Sequence, residues 1–288
     1  MDLLVVTYFI NGILMVAIPI LLGIYLTNRF RIGGKIWWIG ACIFIISQIL
    51  HIPFNLFILN PLLPKLQQGT QALLIIAGLL GLSAGIFEET ARYGMYRWWL
   101  KDSRTWRSAI LAGAGHGGIE AIIFGGLVIV GYLNMMAYRN LDLGRLSLAL
   151  GELQIASLQA YWSAPWYATL LGAVERAFTI PVHIAASVLV LQVFTRGRGH
   201  LRLAWLGLAI LFHAVVDASA YYIFRQWGVY ISEAAIGVMA VMAVIIIFSL
   251  RQPEPVASVS ESVAYKPPAF TPTPLEETSD NLEKTRFQ

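Results

Sequence analysis

Gly85-Ile86-Phe87-Glu88-Glu89-Thr90-Ala91-Arg92-Tyr93-Gly94 lies inside a run of otherwise apolar residues from Ala72 to Trp99, long enough to cross a bilayer as one helix. Each charged side chain near the centre of such a helix costs roughly 3 kcal/mol, so Glu88, Glu89 and Arg92 together cost about 8–10 kcal/mol. The nine Leu, Ile and Phe residues between Leu73 and Phe87 return only about 3–5 kcal/mol. The balance forbids a lipid-facing position for these charges. They must turn toward other helices or a water-filled cavity, where intramembrane ionisable groups mark function.

The rest of the chain has the same character. Of its 288 residues, 58% are hydrophobic and 12% charged, and the mean hydropathy of +0.68 lies outside the range of soluble globular domains. The net charge of +4 comes from basic residues in short loops beside apolar spans, which is membrane topology and not a nucleic-acid footprint. The single cysteine, Cys42, excludes an intramolecular disulfide and a cysteine-rich metal site, and reads as an inert core residue.

Seven segments are long enough to span: roughly 3–26, 36–59, 71–96, 107–133, 165–194, 202–224 and 229–250. The first lacks a basic flank and a small-residue cleavage site and reads as a retained span. Loops 27–35 (Arg29, Arg31, Lys35), 97–107 (Arg97, Lys101, Arg104, Arg107) and 195–202 (Arg196, Arg198, Arg202) are rich in cations. The alternating connections hold fewer: Lys65, then Arg139 and Arg145, then Arg225. This asymmetry predicts the N-terminus outside and the C-terminus inside. Residues 134–164, with Asp142, Arg145 and Glu152 near helical period, are expected at the outer surface or capping the bundle. From Gln252 the composition shifts to Pro, Ser, Thr and Glu, which predicts a disordered cytosolic tail over 252–288 behind an all-α membrane domain over 1–251.

Depth groups the polar residues. Glu88 and Glu89, His116, His183 and His213 fall on four spans at about 11–17 Å from the cytoplasmic ends, by helical rise. Phase adds to this. Arg92 is placed to neutralise one of the two acids. Gly81 and Gly85 share a face with Glu88 and invite close approach of another helix. His116 and Glu120 share a face, as do His183, Thr179 and Glu175 or Arg176, with Pro181 placed to bend that helix. His213 and Asp217 are i, i+4, a spacing that lets a carboxylate orient an imidazole. Glu175 and Arg176 read as a structural ion pair, with Glu120 or each other, and His51 as a hydrogen-bonded packing residue. H-E-x-x-H and G-x-S-x-G are both absent. Glutamates and histidines so gathered can activate water, hold zinc with an open position, or relay protons.

Glu88-Glu89-x-x-Arg92, the Gly-His-Gly-Gly-x-Glu run at 115–120, Glu175-Arg176 with Pro181-x-His183, and His213-x-x-x-Asp217 resemble the YhfC family of intramembrane peptidases. That family is similar to PrsW and belongs with the CPBP group that includes the CAAX-prenyl proteases. The resemblance covers about residues 72–222. It implies a glutamic-type intramembrane endopeptidase of the prokaryotic cell membrane, acting on peptide or transmembrane-protein substrates among membrane lipids. Glu88 or Glu89 would be the base and His183 and His213 the water-binding and oxyanion groups, supported by Arg92, His116, Glu120, Glu175, Arg176 and Asp217. No cofactor is expected on that reading. The alternatives are a zinc protease, with His116, His183, His213 and Glu89 as ligands, and a non-catalytic scaffold or transporter-like protein of the same fold.

Overall fold

Asp2 accepts the Leu4 amide hydrogen at 3.1 Å and so caps the first of a series of long helices. The computed structural model describes residues 2–65, 70–139, 151–196, 198–199 and 201–253, all of which belong to helices and short connections. The helices are α1 (Leu3–Phe30), α2 (Lys35–Phe54, carried on to Leu62 through a π turn), α3 (Thr70–Gly94, with a π turn to Trp99), α4 (Trp106–Tyr138), α5 (Glu152–Ser163), α6 (Leu171–Thr195), α7 (Leu201–Trp227) and α8 (Val229–Ser249). All but α5 are long and apolar enough to cross a membrane, giving seven candidate spans among the described residues, each within a few residues of its expected limits.

An odd number of crossings puts the two ends of the helical unit on opposite faces, and the three arginine-rich connections share one face. Asp142, Arg145 and the tail from residue 254 lie outside the described residues. What is described of 134–164 is the continuation of α4 to Tyr138 and the helix α5, which packs on α1. There Tyr8 Oη donates to the Tyr161 carbonyl at 2.8 Å, and the two rings stack.

α6 is the axis of the bundle. Within its most apolar window 72% of residues are buried, against 11–33% for the other spans. α1, α3, α4, α7 and α8 all pack on it. The outer faces of α1, α2, α4 and α8 present Leu21, Ile49, Leu50, Phe57, Leu127, Val238 and Ile245, as lipid contact requires. Cys42 belongs to that outer surface, contrary to the expectation of a core position. It shares its stripe of α2 with Trp38, Ile45, Ile46 and Ile49, where a thiol suits lipid as well as protein.

Two helix crossings set the position of the polar residues. α2 meets α4 where Gly40 faces the Ala112 carbonyl oxygen and Gly115 faces that of Trp37, each so closely that an added Cβ collides with backbone. α3 meets α7 where Gly81 and Gly85 face the Ala214 and Ile210 carbonyl oxygens in the same way. The first contact presents His116, the residue after Gly115, to the bundle interior. The second brings the Glu88–Glu89 turn against His213.

Candidate metal centre and active site

α3 contributes Glu88, Glu89 and Arg92; α4 contributes His116 and Glu120; α6 contributes Glu175, Arg176 and His183; α7 contributes His213 and Asp217. Glu88, Glu89, Arg92, His116, His183 and His213 are all buried, and none of them meets lipid. Their shared depth reflects this clustering.

Glu88 Oε2 is the hub. His116 Nε2 lies 2.9 Å from it, Arg92 Nη2 3.6 Å, His213 Nε2 3.8 Å and His183 Nδ1 4.0 Å. Ring nitrogens from three helices therefore converge on one carboxylate oxygen. The other oxygen, Oε1, accepts from Gln48 Nε2 at 3.2 Å, and Gln48 Oε1 in turn meets His51 Nδ1 at 3.2 Å. His51 also contacts Ser83 and Asn55 and stacks on Phe87, so it packs and hydrogen-bonds as expected.

Glu89 has a different role. Its Oε1 accepts from Arg92 Nη1 and, at 2.7 Å, from His213 Nδ1. Adjacent residues on a helix point about 100° apart. The i, i+3 arginine claims Glu89 and leaves Glu88 to face the histidines. Among the described residues, the donor atoms of Glu88, His116 and His183 lie within 4.8 Å of one another, a group that shares His116 and His183 with the expected zinc set and has Glu88 where that set has Glu89 and His213.

Two carboxylates define the tautomers. An ionised carboxylate only accepts, so His183 Nε2–H donates to Glu120 Oε2 at 2.7 Å, and Nδ1 keeps the lone pair that turns inward. His213 donates through Nδ1 to Glu89, and its Nε2 faces the centre, 3.4 Å from Asp217 Oδ2, so that carboxylates flank both ring nitrogens. Arg176 Nη1 donates to Glu120 Oε1 at 2.8 Å, and its Nη2 donates to Glu175. The expected ion pair thus forms in both alternatives at once, and it holds the carboxylate that orients His183.

One carboxylate and two imidazoles in mutual reach, one imidazole fixed by an outer carboxylate, form a donor set that fits a catalytic zinc. Glu120→Gln is expected to lower metal affinity 10–100-fold, measured by competition with a chromophoric chelator, while Glu175→Gln changes it less than about threefold. A cavity of about 110 Å³ adjoins the cluster, lined among others by Glu88, Glu120, His183, His213 and Asp217. Side-chain exposure rises from 7% at Glu88 through 16% at Glu120 to 36% at Glu175 and 43% at Asp217, which marks floor and mouth.

Gln48 is the contact that sequence reasoning missed. An amide inside an apolar span, one turn before His51, was the available signal.

Imidazoles from three helices and a carboxylate thus converge inside a membrane bundle. The description "YhfC intramembrane metalloprotease" covers residues 14–246, and the chain belongs to that family. It is 29% identical over 245 residues to "Uncharacterized membrane protein YhfC" of Bacillus subtilis (strain 168), across 83% of this chain and 91% of that protein. No solved structure matches it. The family description includes a metal, and so favours the zinc alternative over the metal-free glutamate reading.

Proposed function

We propose that the chain hydrolyses peptide bonds of membrane-embedded substrates with a divalent metal, zinc by the character of its donors, held by Glu88, His116 and His183. The observation that carries this reading is the approach of ring nitrogens from three helices to within 4.0 Å of Glu88 Oε2. When bound, zinc supplies Lewis acidity to the scissile carbonyl and acidity to water.

The chain's own residues do the rest. Asp217 takes a proton from water, His213 gives the proton on Nε2 to the leaving amine, and Asp217 then returns its proton to His213 across 3.4 Å. Glu89 accepts the Nδ1 hydrogen and stabilises the imidazolium. Arg92 holds Glu89 in place, and Glu120, fixed by Arg176, sets the His183 ring. Asp217 at the mouth lies within reach of both His213 and an incoming amide.

The cavity also limits the substrate. An α-helix is about 10–12 Å across with its side chains, and a cavity of about 110 Å³ has no room for one. Cleavage therefore requires local unwinding. Asp217, Ala220 and Ile236 line the cavity toward the ends of α7 and α8 that meet at Gly228, away from the arginine-rich face. With that basic face in the cytoplasm, substrates reach the site from the outer half of a prokaryotic cell membrane.

A second reading, metal-free hydrolysis with a glutamate base, is favoured by one contact: Arg92 Nη2 donates to His183 Nδ1 at 2.8 Å, at the lone pair a metal would use. A panel of fluorogenic transmembrane peptides, incubated with purified protein with and without chelator, separates the two. The metal reading expects activity lost to chelator and restored by zinc. Chelator-insensitive cleavage would establish the second reading in its place.

A further inference from the structure

On the face of α6 turned away from the site, a groove of about 520 Å³ runs between α1, α4 and α8. Its floor is apolar, with Leu22, Leu26, Ile110, Ile180, Ile184 and Ile247. At the end belonging to the basic membrane face, Arg29, Arg107 and Arg251 line it from three different helices or their ends, and no carboxylate among the described residues lines it. The basic end is built on a fixed wall: Trp106 Nε1 donates to the Ile247 carbonyl at 2.8 Å, Arg251 lies 5.1 Å over the Trp106 ring, and Arg107 lies 6.0 Å over Phe30. Among the described residues neither Arg29 nor Arg251 forms an ion pair with a carboxylate.

From Arg29 to Ile18 the groove extends about 16 Å along α1 by helical rise, from the polar boundary to mid-membrane. Converging cations at the headgroup level above an apolar channel between spans match a phosphate and an acyl chain belonging to one molecule. We infer that this groove is a binding site for an anionic phospholipid, with the phosphate among Arg29, Arg107 and Arg251 and one acyl chain against Leu26, Ile180 and Ile184. Charge complementarity selects the occupant. A zwitterionic lipid brings its own cation to the arginines, and a soluble phosphate leaves the apolar floor unused. Pro181 also lines the groove, two residues from His183, so the lipid braces the back of the helix that carries one of the metal-binding histidines.

The test is the melting temperature of the detergent-purified full chain, titrated with phosphatidylglycerol, phosphatidylcholine or glycerol phosphate. Phosphatidylglycerol is expected to raise it saturably, and the other two are not. In the double variant Arg29→Ala/Arg251→Ala the half-saturating concentration should rise about 30-fold. Removal of the same charge from the same membrane face, in Arg97→Ala/Lys101→Ala, should move it less than about twofold. An unchanged melting temperature of the lipid-free double variant shows that its fold is intact. Equal stabilisation by phosphatidylcholine, a wild-type response in the double variant, or full stabilisation by glycerol phosphate would each overturn the assignment.

Discussion

Glu88→Gln is expected to lower peptide hydrolysis about a thousandfold or more and leave the bundle folded, whereas Glu89→Gln is expected to destabilise the protein itself. The two residues are neighbours in sequence, but their partners differ. Glu88 Oε2 faces the histidines, and its removal takes away a donor of the proposed metal site, worth several kcal/mol of transition-state stabilisation. Arg92 keeps its pair with Glu89 in that variant, so no charge is orphaned. Glu89→Gln instead leaves the wholly buried Arg92 with one distant carboxylate, at 3.6 Å, and the loss of a buried partner costs about 3–5 kcal/mol. Hydrolysis rate and melting temperature, measured on both variants, check the contrast. Equal effects of the two substitutions on both quantities would mean that the acids act as one unit.

The second large effect is expected at Gly115, away from the chemistry. A methyl group there meets the Trp37 carbonyl oxygen, and Gly40 meets Ala112 in the same way from the other side, so α2 and α4 have no room to accommodate it. Overpacking of this kind costs about 1–3 kcal/mol when side chains can yield, and more when the obstacle is backbone. Gly115→Ala should therefore lower the melting temperature clearly, while Gly126→Ala, whose added Cβ meets nothing within 4 Å, should leave it nearly unchanged. Thermal unfolding in detergent measures both. Because His116 follows Gly115, the same change should also weaken metal binding.

Much of this arrangement is readable from residue order. The spans follow from the lengths of the apolar runs, since a bilayer tolerates little else over about 30 Å. Glu88, His116, His183 and His213 declare themselves because ionisable groups in a span are costly, and helical rise puts them at one depth. Gly81 and Gly85 announce the α3–α7 approach for the same kind of reason, and the chain places α7 there.

What was not readable depends on side-chain direction. Spacing allowed Arg92 to pair with either glutamate, and the choice of Glu89 emerges once α7 brings His213 to the same oxygen. Glu120 and Arg176 looked like a structural pair, and they are one, yet Glu120 also holds His183 at 2.7 Å. That contact joins α4 to α6, and no local spacing encodes it. Gln48 was overlooked because a single amide is a weak polar signal beside charged residues. The resemblance to glutamic-type peptidases implies a metal-free reaction, which leaves zinc as the alternative. The proposed donors Glu88, His116 and His183 come from three helices in place of one, so no short motif records them.

Metal content tests the central claim most directly. Elemental analysis of the purified wild-type chain, with His116→Ala and His183→Ala beside it, should find one equivalent of zinc per wild-type chain and a strongly depleted level in both variants. Wild-type protein that cleaves its peptide while carrying less than about a tenth of an equivalent of any divalent metal would contradict the account.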